Sequence, residues 1–305
     1  MYSGFPTNLL AVVRCPRDAG RLEVSNFKQS VVFDGEVRCV TCGFTYGIRA
    51  GILRLLPGQQ PLDPVVLEEQ RARDENAGRY EAHFSDWENR EELAAILGKP
   101  ERIRSKSLLD LACGTGRITR PLACLASRIL AADLSEESLR TLASRVSPAC
   151  ELGLIWGDAV RLRFAPDSFD VVVSTQLLEH IPSREMRVHL FRALHSSLKA
   201  SGTLFLTAYF YSLLQKLFRR KQEGFHEGHI FYHRFTASEV RAELGGGFRM
   251  VETRPLHPDR RVLASLPGAG SWARQGILGR CLAQFVGRLL FIRVEKQMVE
   301  MRWQG

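Results

Sequence analysis

The 305-residue chain has no long apolar run: none reaches the roughly 18 residues that a membrane-spanning helix needs. Its opening, MYSGFPTNLLAVVRC, lacks a basic segment and a small-residue cleavage site, so no secretory signal and no transmembrane segment are expected. Cysteine is sparse, scattered and odd in number at 7, which argues against a disulfide framework. A reducing, cytoplasmic setting is the simplest expectation. Internal repeats and low-complexity tracts are absent, which argues against solenoids and disordered arrays. Apolar and charged residues are in ordinary supply, 45% and 25%, enough for a globular fold with a sizeable core. Acid is short relative to base, 33 against 42, for a formal net charge of +9. That balance fits nucleic acid, an anionic membrane surface, acidic substrates or solubility alone.

Three stretches differ in character. Residues 1–57 hold short β-like runs (SVVFDGEV, GILRLLP) and three of the cysteines, Cys15, Cys39 and Cys42. PGQQPLDP, rich in turn-formers, reads as a linker, and the polar residues 65–98 read as helices stopped at Gly98. From Ser107 on, apolar strands alternate with helices: SLLDLAC, RITRPLACLA, RILAADL, SEESLRTLASRV, GLIWGDA, FDVVVSTQLL, SREMRVHLFRALHSSLKASG and GTLFLTAY. Ser135 reads as an N-cap, with Glu136 and Glu137 suited to the positive helix end. TASEVRAELGGGF reads as a later helix; FRMVETRPL and RLLFIRVEKQ read as late strands. This alternation predicts a parallel sheet covered on both faces.

In such a sheet, ligands bind beyond the carboxyl ends of the strands. The first strand runs into DLACGTG, with Gly114 and Gly116 in a turn. A dinucleotide turn wants G-x-G-x-x-G; Thr119 stands at the third position, so that pattern fails. A turn for S-adenosylmethionine fits better, because Asp110 offers a carboxylate to a cationic ligand. The next strand ends in Asp133, able to accept ribose hydroxyls, and the third in Asp158, able to accept from an adenine amine. The fourth ends in STQLLEHIP.

With these motifs in hand, residues 107–209 resemble the class I S-adenosylmethionine-dependent methyltransferases, most of all the ubiquinone and menaquinone biosynthesis branch. The carrying segments are LLDLACGTGRITRPLA, AADLSEESL, GDAVRLRFAPDSFDVVVSTQLLEHIP and ALHSSLKASGTLFLTAY. The family turn usually has glycine where this chain has Ala112. The resemblance implies an α/β fold: a seven-stranded Rossmann-like sheet, six strands parallel and one antiparallel, behind a small β-rich zinc-ribbon-like domain. It implies that Asp110, Ala112, Gly114 and Gly116 hold the methionine end of S-adenosyl-L-methionine. Asp133 then binds ribose, Leu134 and Ala159 meet adenine, Asp158 accepts from its amine, and Gln176 lines the methionine side. Tyr80 either lies over the cofactor or only packs. The implied organisation is a ribbon over 1–57, linker and capping helices over 58–100, and the methyltransferase domain over 101–305.

The methyl carbon of a sulfonium is already activated, so the enzyme mainly aligns an acceptor and excludes water. Candidates for proton handling are Glu179, His180, His226, His229 and His233. His229 and His233 would suit metal only on a helix, and GFHEGHIFYHRFT reads instead as a segment capping the site. No N-P-P-Y, D-P-P-Y or Pro-Cys follows the fourth strand, which argues against the amino-methylating and cytosine-C5 relatives. The expected acceptor is a small or lipid-like molecule. The alternatives are RNA, or a cofactor-binding or activating module without turnover. YFYSLLQKLFRRK is either a contact with a membrane interface, giving a peripheral location, or a lid with a solvated basic end. SWARQGILGRCLAQFVGRLLFIRV reads as a helix leading into the last strand.

The N-terminal stretch resembles the small zinc-ribbon-like proteins that activate tRNA and translation-factor methyltransferases. Cys39 and Cys42 form one C-x2-C knuckle. Cys15 opens another, whose second position is Asp18. The ribbon either holds structural zinc through Cys15, Asp18, Cys39 and Cys42, or keeps its fold without metal.

Overall fold

Ser107–Leu111 is buried at every position, as a strand covered on both faces must be. The computed structural model describes residues 2–24, 30–56, 62–79, 85–226, 230–258 and 283–297. It sets this strand inside an eleven-stranded mixed sheet. In chain order the strands are β1 Leu22–Val24, β2 Gly35–Cys39, β3 Thr45–Arg49, β4 Ile52–Arg54, β5 Ser107–Leu111 and β6 Arg128–Asp133. Then follow β7 Glu151–Trp156, β8 Phe169–Thr175, β9 Leu198–Tyr209, β10 Phe248–Pro258 and β11 Gly287–Lys296. Their spatial order is β10-β11-β9-β8-β5-β6-β7-β4-β3-β2-β1. From β7 through β6, β5 and β8 to β9 every pairing is parallel; β11 runs antiparallel to β9 and β10. Chain order reverses between β5 and β8, so the connections that follow these two strands run to opposite sides and leave a crevice at their carboxyl ends.

The N-terminal stretch does not stand apart from this sheet. β1 to β4 pair antiparallel among themselves, and β4 then pairs parallel with β7 through Ile52–Leu154, Leu53–Ile155 and Arg54–Trp156. One buried cluster holds Phe5, Leu9, Ile48 and Leu53 together with Leu109, Leu130 and Ile155. Gly153 permits the approach: a Cβ there would lie 2.8 Å from Leu130 and 3.0 Å from both Leu9 and Phe5. The composition break at residue 57 is therefore not a break in the sheet.

Helices are started by side-chain caps that the local sequence supplies. Asp63 caps α1 (Pro64–Asn76), Ser85 and Glu88 form a capping box on α2 (Asp86–Leu97), and Ser135 caps α3 (Glu136–Arg145). Ser183 caps α4 (Arg184–Ser197), and Thr236 with Glu239 boxes α5 (Ala237–Leu244). RITRPLACLA, expected to be helical, makes only the α-turn Thr119–Leu122. Pro121 removes a backbone donor there, and the Thr119 hydroxyl is turned inward. Beyond β9, the short helix Leu213–Leu217 precedes a hairpin of Glu223–Phe225 with Phe231–His233. The first half of SWARQGILGRCLAQFVGRLLFIRV, residues 271–282, lies outside the described residues, and its second half leads into β11.

Candidate active site

A cavity of about 750 Å³ opens at the carboxyl ends of β5 to β8. Ala112 and Gly114 line it from the turn after β5, Asp133 and Leu134 from the end of β6, Asp158 and Ala159 from the loop after β7, and Gln176 and His180 from beyond β8. Ala112 and Gln176 both hold left-handed backbone, with φ of 63° and 55°. For a residue with a Cβ this conformation is unfavourable by about 1 kcal/mol. With His257 (φ 53°), three strained non-glycine residues thus line one cavity, the pattern expected at a ligand site. A glycine at position 112 would hold this conformation without that strain.

Two of the implied cofactor residues are placed differently. Asp110 is fully buried beneath the turn and is not part of the cavity wall. Its Oδ2 accepts the Thr119 hydroxyl at 2.6 Å, and Oδ1 has no partner among the described residues. Burial pushes its carboxyl up to about 6. Gly116 (φ 85°) faces away from the cavity, and a Cβ there would meet Leu142 at 2.2 Å. Its lack of a side chain serves packing against α3. Tyr80 and His229 lie outside the described residues.

Asp133 is held from two sides. The Gly114 N–H donates to Oδ2 at 2.7 Å and the Ser135 N–H to Oδ1 at 2.9 Å. Each oxygen keeps acceptor capacity for a further donor. Asp158 accepts from the Val160 N–H at 3.0 Å and faces Arg161 at 3.4 Å. Burial raises both carboxyls above the usual range. The Leu134 carbonyl accepts from the Trp156 indole at 2.8 Å.

The other end of the cavity is aromatic. His180 packs edge-on to Tyr209 with centroids 5.9 Å apart, Tyr209 packs likewise on His226 at 5.7 Å, and His226 lies 4.5 Å from Tyr232. His180 Nδ1 lies 2.8 Å from the Phe231 carbonyl. A carbonyl only accepts, so Nδ1 carries the proton and Nε2 is the basic nitrogen of the neutral ring. Burial pushes the His180 pKa well down, so the ring stays neutral. Glu179 is fully buried, both its oxygens lack partners among the described residues, and burial drives its carboxyl well up. His233 is not in the cavity wall; it sits on a strand between Glu223 (3.3 Å) and Glu239 (3.7 Å).

The helix α1 brings two residues that local sequence does not announce. Glu69 and Arg73 line the cavity and pair at 3.2 Å. Within PVVLEEQRARDEN every charged position looks like a solvated face. The hydrogen bonds Ser135–Asp74 (2.6 Å), Glu137–Asp74 (3.4 Å) and Gln70–Leu134 (3.3 Å) join α1 to the end of β6 and the start of α3 and turn these two inward.

A second cluster lies in the N-terminal stretch. Ligand atoms of Cys15, Asp18, Cys39 and Cys42 all lie within 4.8 Å of one another. Cys15 and Cys42 sulfurs are 3.8 Å apart, and Asp18 Oδ1 is 3.3 Å from the Cys39 sulfur. Tetrahedral zinc with Zn–S bonds of about 2.3 Å separates sulfurs by about 3.8 Å, so the donor set fits the metal. Gly20 is required beside it: a Cβ would lie 2.5 Å from Thr41 and 2.7 Å from the Cys39 sulfur. Burial pushes the Cys15 thiol up to about 12, while the Gly20 N–H holds the Asp18 carboxyl at about 2.

Residues 108–202 match the family model described as a methyltransferase domain. A ubiquinone biosynthesis O-methyltransferase of Xanthomonas campestris pv. campestris is 33% identical over 105 residues, 33% of this chain and 41% of the relative. The chain therefore spans about two-fifths of that relative's length. Among solved structures, phosphoethanolamine N-methyltransferase 1 of Haemonchus contortus, in complex with phosphoethanolamine and S-adenosylhomocysteine, is 14% identical. It covers 81% of this chain and 52% of its own, with a TM-score of 0.57. A chain of the complex between the Haloferax volcanii Trm112 methyltransferase activator and a methyltransferase is 17% identical over 78% of this chain and 100% of its own, with a TM-score of 0.54. At these identities the structural likeness is one of fold.

Proposed function

We propose that this chain is an S-adenosylmethionine-dependent methyltransferase acting on a small or lipid-like acceptor. One observation carries the reading. A single cavity joins a polar half, with carboxylates at successive strand ends, to an aromatic half walled by His180, Tyr209 and His226. The polar half suits an adenosine and the aromatic half an apolar acceptor. The matched ubiquinone-branch relative supports the same acceptor class.

When bound, S-adenosylmethionine supplies a methyl group on a cationic sulfur. The residues then divide the work. Asp133 accepts ribose hydroxyls with its free lone pairs, and Leu134 and Ala159 flank the base. Asp158 accepts from the adenine amine. Backbone at Ala112 and Gly114, with the Gln176 side chain, receives the methionine end. Asp110 acts beneath the turn, holding it through Thr119. His180 Nε2 takes a proton from an acceptor hydroxyl, since the Phe231 carbonyl fixes the opposite nitrogen as the donor. His226 stacks on the acceptor. The organisation is an N-terminal zinc ribbon (1–57), a capping region (58–100) and the catalytic domain (101–305), with zinc in the ribbon held by Cys15, Asp18, Cys39 and Cys42.

The acceptor reaches the cavity from a bilayer surface. Leu213, Leu217, Phe218 and Phe225 are 52%, 76%, 66% and 60% exposed, alongside Lys216, Arg219, Arg220 and Lys221. Gln215 of the same segment lines the cavity. Apolar side chains ringed by cations suit an anionic lipid interface. No described helix is long and apolar enough to cross a membrane.

The test is incubation with methyl-labelled donor and a cell lysate, followed by counting label in solvent-extractable, RNA and protein fractions. Label in the organic phase, lost in Asp133→Ala, is expected. Label in RNA, falling steeply with salt, would instead make the ribbon and the basic charge a nucleic-acid surface. Donor binding without label anywhere would make the chain a module without turnover.

A further inference from the structure

Four carboxylates line the cavity among the described residues: Glu69, Glu88, Asp133 and Asp158. Each has a partner, Glu69 through Arg73 at 3.2 Å, and they differ in where they stand. Asp133 takes two backbone N–H groups, Asp158 takes Val160 and Arg161, and Glu88 faces Arg288 at 3.3 Å. Glu69 stands differently. It comes from α1, which covers the site, and its Oε1 lies 3.9 Å from His180 Nδ1 and 3.2 Å from Arg73. His180 belongs to the aromatic half, whereas Gln70, the next residue on α1, bonds the Leu134 carbonyl in the adenosine half. Glu69 is thus at the junction of the two halves, where the sulfur of a bound donor must lie if the methyl group is to pass between them.

We propose that Glu69 is the counter-charge for the donor sulfonium, and that it lets the cavity hold the cationic donor more tightly than the neutral product. The inference rests on the methyltransferase reading above. Transfer breaks the carbon–sulfur bond, leaves its electron pair on sulfur and removes the positive charge from the sulfur. A carboxylate buried beside the sulfur therefore binds the donor and not the product. Burial supports this role, since it pushes the Glu69 carboxyl up to about 7 despite Arg73 on the same helix. Asp133 and Asp158 from the strand ends, and Glu179 beyond β8, add like charge when ionised; His180 facing it is neutral. A cation arriving beside Glu69 lowers that pKa and expels a proton.

The experiment is isothermal calorimetry of S-adenosylmethionine and S-adenosylhomocysteine on the full chain and on Glu69→Gln and Glu69→Asp, at pH 7 and 8.5, in buffers of different ionisation enthalpy. In Glu69→Gln, donor affinity is expected to fall about tenfold, as for loss of one half-buried charge pair. Product affinity stays within about twofold, which also reports an intact fold. Glu69→Asp recovers part of the loss. Wild-type protein releases a fraction of a proton on binding donor at pH 7, and neither Glu69→Gln nor the product does so. Equal loss for both nucleosides, or loss for neither, overturns the assignment. Wild-type protein that binds neither overturns the cofactor reading, and this assignment with it.

Discussion

Gly114 and Gly116 stand two residues apart for different reasons. Gly114 lines the cavity and offers its N–H to Asp133, whereas Gly116 makes room for Leu142. Gly116→Ala combines left-handed backbone with that clash, so chemical denaturation should show a loss of about 2–4 kcal/mol. Asp110 gives a pH signature. Its folded pKa of about 6 lies above the ordinary carboxyl value, so the folded state binds the extra proton. Stability from this group is fully present below the unfolded pKa and is lost as pH rises through about 6. Asp110→Asn keeps an acceptor for Thr119 and removes the titration. Relative to wild type, the variant should gain about 2 kcal/mol of stability between pH 4 and pH 8 in urea melts of the ligand-free protein. A parallel pair of profiles would reject the burial account. His180→Ala should lower turnover by about 10²–10³-fold with little change in donor affinity, the split that separates proton transfer from binding.

Among elements, the junction of β4 with β7 decides how the N-terminal stretch reaches the site. Without β4, β7 would be an open sheet edge. Arg54 at the end of β4 lies over Trp156 at 5.6 Å and pairs with Glu136 at the start of α3. Trp156 in turn bonds the Leu134 carbonyl. The stretch is thereby coupled to the Asp133–Leu134 end of the cavity through three named contacts. Gly153→Ala crowds Leu9 and Phe5 against Leu130, and such overpacking is unfavourable by about 1–3 kcal/mol. Thermal melts should show that loss, and donor affinity should fall with it. A variant that loses stability but binds donor as wild type does would uncouple the two halves.

Across the whole molecule, the legible parts were those with short-range signatures. Apolar runs and caps such as Ser135 marked the strands and helices of the parallel sheet, and Asp133 and Asp158 were legible as cavity-lining residues because they stand at strand ends. Gly116 packs on Leu142 and is not in the cavity wall, and spacing alone does not distinguish ligand contact from helix packing. Asp110 lies beneath the turn, and in sequence a carboxylate at a strand end looks the same above the turn or beneath it. Glu69 has no local signal, because α1 is brought to the cavity by contacts 61 and 64 residues away in sequence, Asp74 to Ser135 and Gln70 to Leu134. The N-terminal cysteines were legible as a cluster, but the merging of their strands with the main sheet is a long-range pairing with no local signal. The zinc proposal predicts a whole-molecule effect: strong chelation should release equimolar zinc and lower both melting temperature and donor affinity, since the ribbon sheet is continuous with β7. The most direct measurement for the central claim is equilibrium dialysis of labelled S-adenosylmethionine against wild type and Asp133→Ala. Saturable binding by wild type, weakened at least about tenfold in the variant, is the expected result if Asp133 holds the ribose hydroxyls as proposed. No saturable binding, or equal binding by both proteins, would contradict the account.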